Sequence, residues 1–275
     1  MTHARQALVN TGVGLRLPHL SEIVVTRPEI AWLEIHPENF LASPHATELL
    51  CDVADRYPMS VHTVGVSIGS DEGGDRLDLE RVRALVDRLD PALVSGHLAW
   101  STHEGDYLND LLPLPYNDET LAVLAAHLDV VQDALGRPFL VENPSSYVGF
   151  GSSTMVEVEF LGQLVQRTSC QLLCDVSNVY VSAHNMGYDP YQYIYEFPAS
   201  AVAELHLGGF TPEPDGRVDA DVGALVALPP NRQAVVTLRD IEGMGSEEVC
   251  QVLGVSDANH RVLLAALQEH YGGRQ

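Results

Sequence analysis

Five side chains of the kinds that bind metal ions each stand at the end of a short apolar segment. They are His62, His97, Glu142, Asp175 and His206. A charged or strongly polar side chain at the end of a buried strand is costly unless it is paired or bound to a cation. The repeated position therefore predicts that several strand ends converge on one metal site with imidazole and carboxylate ligands.

A second tier of polar residues follows two of these segments and would extend the site. It consists of Asn178, His184, Asp219 and Asp221. One ion of ordinary coordination number could not use all nine side chains, so we expect two or three ions with bridging carboxylates. Mixed imidazole and carboxylate ligands without a thiolate suit iron, manganese or zinc, and the residue types leave that choice open.

Eight short β-type runs must position these side chains. They are Val13–Leu17, Trp32–His36, Met59–Val64, Leu93–Leu98, Phe139–Glu142, Gln171–Asp175, Ala203–Leu207 and Ala234–Leu238. Most stretches between them are predicted to be helical, and residues 80–89, 120–135 and 156–167 show apolar side chains at helical spacing. Strand and helix that alternate eight times over roughly 250 residues predict a closed (β/α)8 TIM barrel.

An open doubly wound sheet is the alternative fold. Candidate ligands follow strands three to seven in succession, and only a barrel arranges five successive strand ends around one axis, so the barrel is favoured. Residues 101–119 and 178–198 are predicted as long loops over the face where barrel active sites form. Contacts to a substrate are expected from the turn after the second strand and from the first long loop, at His36, Glu38, Asn39, Asn109 and Asp110. For the turn after the second strand, contacts to the ions or a structural role in closing the turn are the alternatives.

The composition indicates a globular protein, with 45% hydrophobic and 19% charged residues. No linker divides the chain, so one domain over residues 1–275 is predicted. No apolar run approaches the roughly 18 residues that span a bilayer, and the N-terminus lacks the layout of a signal peptide. We therefore expect a cytoplasmic protein with no membrane partner. A net charge of −23 without any lysine argues against a nucleic-acid partner.

Many short motifs, in order over about residues 12 to 210, resemble the multinuclear non-heme iron-dependent oxidative enzymes. They are Gly12-Val13-Gly14-Leu15-Arg16, Glu34-Ile35-His36-Pro37-Glu38-Asn39, Ser60-Val61-His62, Ser95-Gly96-His97-Leu98-Ala99-Trp100-Ser101, Leu108-Asn109-Asp110-Leu111-Leu112-Pro113-Leu114-Pro115-Tyr116, Val141-Glu142-Asn143-Pro144-Ser145, Cys174-Asp175-Val176-Ser177-Asn178-Val179-Tyr180 and Glu204-Leu205-His206-Leu207.

The resemblance implies a xylose-isomerase-like TIM barrel that holds two or three iron ions in mixed Fe(II)/Fe(III) states and uses O₂ as co-substrate. Members of this family modify ribosomally synthesised precursor peptides in natural-product biosynthesis, often at Cys and in some cases at Asp or Asn. They usually act with a separate partner protein that binds the leader peptide. Matched motif by motif, the five strand-end residues would be iron ligands, and Asn178 and His184 would belong to the third iron.

The last third of the chain departs from the pattern of that family. Asp221 stands where the family has a histidine, and Thr237 stands where its eighth strand has a glutamate. We therefore expect a two-iron site or an altered third site. Two other functions stay open at this point: a metal-dependent hydrolase or isomerase on a xylose-isomerase-like barrel, and a non-catalytic metal-binding subunit.

Overall fold

A computed structural model describes residues 8, 12–70, 76–103, 106–208, 210–212, 218–220 and 224–226. Its strands are β1 (Val13–Gly14), β2 (Leu33–Ile35), β3 (Met59–His62), β4 (Leu93–His97), β5 (Trp100–His103), β6 (Asp106–Leu112), β7 (Leu140–Glu142), β8 (Gln171–Asp175), β9 (Val202–Leu207), β10 (Phe210–Pro212), β11 (Val218–Ala220) and β12 (Ala224–Val226). Its helices are α1 (Leu20–Thr26), α2 (Glu38–Leu41), α3 (Pro44–Ala54), α4 (Arg76–Leu89), α5 (Asp118–Leu135), α6 (Glu157–Thr168), α7 (Val176–Met186) and α8 (Pro190–Glu196). Two short 3-10 turns cover Leu17–His19 and Ala199–Ala201.

The main sheet has the order β1-β2-β3-β4-β7-β8-β9-β12. Neighbours from β1 to β9 pair in parallel, whereas β12 pairs antiparallel to β9. The first and last strands of this order also contact each other, so the sheet curls round on itself. The predicted α/β barrel is confirmed. The predicted eighth strand, at 234–238, lies outside the described residues.

Helix α5 illustrates how local sequence fixes the elements. The side chain of Asn117 accepts a hydrogen bond from the backbone N–H of Thr120 at 2.9 Å and so caps the first turn. Gly136 ends the helix with φ of +62°, which suits a residue without a Cβ. The face that the helix buries is lined by Leu121, Leu124, Leu128, Val131 and Leu135.

Two apolar layers hold the strands in place. The larger one lies between the outer faces of the strands and the helices, and it includes Val61, Val94 and Val141. The smaller one contains Trp32, Leu93, Leu140 and Leu173, which alternate in sequence with the outer layer and therefore lie inside the barrel. This inner layer fills the barrel on the N-terminal side of the strand ends. The polar side chains inside the barrel lie at the C-terminal ends of the strands.

Both connections that were predicted as long loops contain regular structure. Residues 101–119 include the antiparallel hairpin β5–β6, whose register shifts between Trp100 and Thr102. Residues 178–198 were wrongly predicted as a loop, because α7 begins directly at the end of β8 and α8 follows it. Asp175 and Asp189 accept hydrogen bonds that start these two helices.

Among the described residues, no helix is both long enough and apolar enough to cross a bilayer.

Candidate metal centre

The ends of β3, β4 and β7 bring His62, His97 and Glu142 into a tight triangle. The two Nε2 atoms are 3.2 Å apart, and Glu142 Oε2 lies 3.1 Å from His62 Nε2 and 3.3 Å from His97 Nε2. Ligands held at about 2.1 Å from one ion, with angles near 90–110°, lie roughly 3.0–3.4 Å apart. The three donor atoms therefore have the spacing of ligands to a shared cation.

A second group joins the same glutamate to the next two strands. His206 Nδ1, on β9, lies 4.0 Å from Glu142 Oε1 and 3.9 Å from Asp175 Oδ2. These three donor atoms lie within 4.8 Å of one another, so they form another possible metal-binding group. The two oxygens of Glu142 face different groups, which is the arrangement of a bridging carboxylate.

A third group involves Glu34, which the sequence analysis did not assign to the site. Glu34 Oε2, on β2, lies 3.3 Å from His206 Nε2, and the group is completed by His62. His62, Glu142 and His206 each belong to two of the three groups. The groups therefore form a closed ring in which every pair shares a residue.

Hydrogen bonds from neighbouring side chains orient two of these ligands. The Ser95 hydroxyl lies 2.8 Å from His62 Nδ1 and leaves Nε2 to face the centre. Asn178 Nδ2 donates to Glu142 Oε1 at 3.1 Å and to the Asn143 carbonyl at 3.0 Å. Such outer contacts fix the orientation of metal ligands. In this structure Asn178 acts on Glu142 through its amide N–H group.

Burial sets the protonation of the histidines in opposite directions. Burial lowers the pKa of His97 to about 3, although Glu142 partly opposes it, and burial lowers the pKa of His62 well below its ordinary value. Burial also lowers the pKa of His206, but the nearby Glu34, Glu204 and Glu142 together outweigh it and raise that pKa well above 6.5. Two imidazoles are therefore neutral donors, whereas the third carries the positive charge that the carboxylates require.

Two buried glutamates, Glu34 in the ring and Glu204 beside it, were missed by the sequence analysis. Glu34 is 5% exposed and Glu204 is fully buried, where the Ser60 hydroxyl donates to both of its carboxylate oxygens at 3.3 Å. Burial raises the pKa of Glu34 above its ordinary value. A signal was available, because each glutamate precedes a histidine by two residues in Glu34-Ile35-His36 and Glu204-Leu205-His206. Strand alternation puts both members of such a pair on one face.

Comparison with known proteins agrees with this geometry. The sequence model of the RiPP precursor modification enzymes MbnB/TglH/ChrH, which act on ribosomally synthesised and post-translationally modified peptides, matches residues 10–226. The chain belongs to the MbnB/TglH/ChrH family. A UPF0276 protein of Vibrio parahaemolyticus is 50% identical over 202 residues, which cover 73% of this chain and 70% of that protein. A UPF0276 protein of Paraburkholderia phytofirmans is 44% identical over 214 residues, which cover 77% of this chain and 69% of that protein.

Solved structures place the MbnB/TglH/ChrH chain in the xylose-isomerase-like fold. A xylose isomerase domain protein from Planctomyces limnophilus matches with a TM-score of 0.53 at 11% identity over 98% of this chain and 97% of that one. An L-ribulose 3-epimerase matches with a TM-score of 0.51 at 13% identity over 96% and 93% of the two chains. At these identities the likeness concerns the fold alone.

A second sequence model, that of Sigma-70 region 4, matches residues 223–266. This range overlaps the MbnB/TglH/ChrH match only in residues 223–226. It includes the predicted eighth strand at 234–238 and Thr237, which both lie outside the described residues.

The turn after β2 carries three of the expected substrate contacts, and they have different surroundings. His36 is half-buried beside His62, with 5.3 Å between their ring centroids, and its Nδ1 has no hydrogen-bond partner among the described residues. Glu38 Oε1 instead accepts hydrogen bonds from the N–H groups of Val64 and Gly65 at 2.9 and 2.7 Å, so it holds the loop after β3. Asn39 is exposed.

The other predicted residues lie farther from the ring or beyond what the structure describes. Asp110 is exposed on β6, next to Asn109, and its Oδ1 accepts a hydrogen bond from the following N–H group. His184 is exposed near the end of α7 and belongs to none of the three groups found among the described residues. Asp219 lies on β11, which contacts α7. Asp221 lies outside the described residues, so its role stays a prediction.

Proposed function

We propose that this chain is a multinuclear non-heme iron enzyme that uses O₂ to modify a ribosomally synthesised precursor peptide. The observation that carries the proposal is the ring of three metal-binding groups, each of which shares a residue with the next. Among the shared residues, Glu142 could hold two neighbouring ions with its separate oxygens, and a mononuclear site would not need such a carboxylate. The family match supplies the peptide as substrate.

The donor atoms fit iron. They are imidazole nitrogens and carboxylate oxygens, and the buried thiol of Cys174 lies in the outer apolar layer rather than in the ring. Bound iron would supply the reduction of O₂ and the oxidation of a substrate residue. We infer two or three ions, held by His62, His97, Glu142, Asp175 and His206, with Glu34 as a further ligand.

The chain itself prepares the site for cations. His62 and His97 are kept neutral by burial, so that no proton has to leave before they can donate a lone pair. His206 is protonated beside the carboxylates. A bound cation would replace this proton and supply the positive charge in its place. The inner layer with Trp32, Leu93 and Leu140 excludes water from below, so substrate and O₂ enter from the strand-end face.

The finer assignments follow the family resemblance. We propose that the modified residue is Cys, or else Asp or Asn, and that a separate protein presents the leader peptide. We also propose that the chain acts in the cytoplasm. His36 is the best placed of the expected substrate contacts, because it is half-buried beside His62 and its Nδ1 lacks a partner among the described residues.

The experiment is anaerobic purification, reconstitution with ferrous iron, and measurement of metal content, Mössbauer spectra and O₂ uptake in the presence of a precursor peptide encoded beside the gene. We expect two or three irons per chain and a peptide mass change that requires O₂. Tightly bound zinc or manganese, with turnover that proceeds without O₂, would instead indicate a hydrolase or isomerase. A protein without any turnover would indicate a non-catalytic subunit.

We infer a second unit at the C-terminus, because the Sigma-70 region 4 match begins where the family match ends. The sequence predicted one domain and no nucleic-acid partner. Both statements stay predictions, and the Sigma-70 region 4 match is a reason to test them. Limited proteolysis of the full chain should cut near residue 226 and leave a stable barrel. A gel-shift titration with double-stranded DNA should then assign any DNA binding to the released C-terminal piece.

A further inference from the structure

A second cavity lies outside the ring, between the loops after β6 and β7 and the helices α7 and α8. It has a volume of about 370 Å³. Its walls are mostly apolar and include Leu114, Val148, Phe150, Val156 and Met186. Val148, Phe150, Val156 and Met186 are also exposed, so apolar surface continues from the cavity to its rim. An apolar pocket with such a rim fits a ligand that has an apolar body.

The charged groups in this cavity are all acidic. Glu157, Asp189 and Glu196 line it, whereas no arginine or histidine does so within the described part of the chain. Asp189 caps α8, and Glu196 accepts a hydrogen bond from Gln192. Glu157 differs from both, because its Oε1 is buried without a hydrogen-bond partner among the described residues. A buried carboxylate oxygen in that state favours a hydrogen-bond donor or a cation from outside.

The position of Glu157 at the start of α6 does not explain its burial. Acidic residues in the first turn complement the helix dipole, but Glu159 does so in the same turn and remains exposed. Burial raises the pKa of Glu157 to about 7, and the nearby hydroxyls of Tyr193 and Tyr116 offset this only in part. An exposed residue complements the helix dipole equally well, so this role does not account for the buried position of the Glu157 carboxylate.

Three tyrosines surround the acidic group. Tyr188 and Tyr193 stack with 5.6 Å between their ring centroids, and Tyr116 lies on the opposite loop. The Tyr193 hydroxyl is buried and, like Glu157 Oε1, has no partner that meets hydrogen-bond geometry in the described part of the structure. Aromatic rings around a carboxylate are the surroundings that bind an ammonium or guanidinium group on an apolar stem.

The cavity is connected to the metal centre by α7. Asn178, Ser182 and Met186 follow one another at four-residue spacing on this helix; the first contacts Glu142, and the other two line the cavity. Eight residues of helix span about 12 Å. An extended peptide covers about that distance in roughly three or four residues. A peptide held at the ring could therefore place a neighbouring side chain in the cavity.

We propose that this cavity binds an arginine or lysine side chain of the precursor peptide, roughly three or four residues from the residue that is modified. The charge complementarity of Glu157 and the tyrosines selects the cation, and the apolar walls accept its methylene stem. The proposal rests on the proposed function insofar as the ligand is a peptide. The chain has no lysine of its own, and no arginine lines the cavity within the described residues, so none of the described side chains supplies the cation.

The test uses the full chain as purified and four capped tripeptides, acetyl-Gly-Xaa-Gly-amide, in which Xaa is arginine, citrulline, lysine or norleucine. Citrulline keeps the shape of arginine without its charge, and norleucine does so for lysine. Binding is followed by the ¹³C-methyl resonance of Met186, which lines the cavity and is assigned with Met186→Leu. We expect the two cationic peptides to bind about tenfold more tightly than their neutral counterparts.

Glu157→Gln should abolish this preference, whereas Glu159→Gln, which removes the same charge from an exposed position on the same helix, should retain it. Tyr193→Phe, which keeps the ring, should reduce the preference and serves as a second test if Glu157→Gln fails to fold. Equal binding of charged and neutral peptides, or an unchanged preference in folded Glu157→Gln, would overturn the proposal. Because this readout needs neither iron nor turnover, its failure is distinct from a failure of the proposed oxidation.

Discussion

Two buried acidic regions lie at opposite ends of α7, and their carboxylates have different neighbours. In the metal centre, Glu34, Glu142 and Asp175 are matched by imidazoles from neighbouring strands. In the cavity, Glu157 lies with three tyrosines and mostly apolar walls, and no cationic side chain lines it among the described residues. The first region pairs its carboxylates with imidazoles of the same chain, which is the donor set of the proposed metal centre. The second lacks a counter-charge from the described residues, which makes it suited to a positive group supplied by another molecule.

The difference also concerns rigidity. The candidate ligands of the proposed metal centre lie on strands whose register is fixed by parallel pairing, such as His97 opposite Glu142. The cavity is assembled from two loops and the ends of three helices. Strands hold donor atoms to within fractions of an ångström, as metal coordination requires, whereas loops can adjust to the side chains of a peptide.

The largest effect is expected from Glu142→Gln, because Glu142 belongs to two of the three groups and faces both with separate oxygens. Iron affinity and peptide turnover should each fall roughly 100-fold or more. Metal analysis after reconstitution and mass spectrometry of the peptide measure the two losses. Glu159→Gln, an exposed change of the same kind, should leave both unchanged. Full iron loading in Glu142→Gln would show that the ring is not the iron site.

Glu157→Gln should change stability in a way that depends on pH. The pKa of Glu157 is about 7 in the folded chain against an ordinary 4.5, so below pH 4.5 the carboxyl is protonated in both states. As pH rises from 4.5 through 7, the folded state retains a proton that the unfolded state has released, and the free energy of unfolding falls by up to about 3 kcal/mol.

Urea denaturation at pH 5 and pH 8 measures this effect. The advantage of Glu157→Gln over the parent should be small at pH 5 and grow by up to about 3 kcal/mol at pH 8. Glu159→Gln should differ little from the parent at either pH. An advantage of Glu157→Gln that is the same at both pH values would mean that the carboxyl is not held protonated by burial, and the contrast between the two acidic regions would weaken.

A smaller effect is expected from Asn178→Ala, which removes the two hydrogen bonds that orient Glu142 and its loop. Iron affinity should fall roughly ten- to a hundredfold, as for other residues that orient metal ligands. Competition with a chelator gives the affinity, and thermal unfolding of the metal-free protein gives the stability. A lower melting temperature with unchanged iron affinity would assign Asn178 to the fold alone.

The sequence alone predicted that these strand ends lie together, since each candidate ligand follows an apolar run and a parallel barrel brings such ends together. It missed Glu34 and Glu204 because both lie inside a strand, where a charged residue is visible only through its pairing with a histidine two positions on. It missed the cavity for a different reason. Tyr116, Glu157 and Tyr193 come from separate segments, and no local pattern joins residues that only the packing of loops and helices brings together.

The smallest effect is expected from His184→Ala, which tests where the centre ends. The family resemblance assigns His184 to a third iron, whereas the structure leaves it exposed near the end of α7 and outside the three groups of the described residues. Surface substitutions usually change free energies by less than about 0.5 kcal/mol, so we expect less than a twofold change in iron affinity. Iron content per chain is the measurement. Loss of one equivalent would place a third ion beside His184, on the helix that β11 with Asp219 also contacts, and would extend the metal centre toward the cavity.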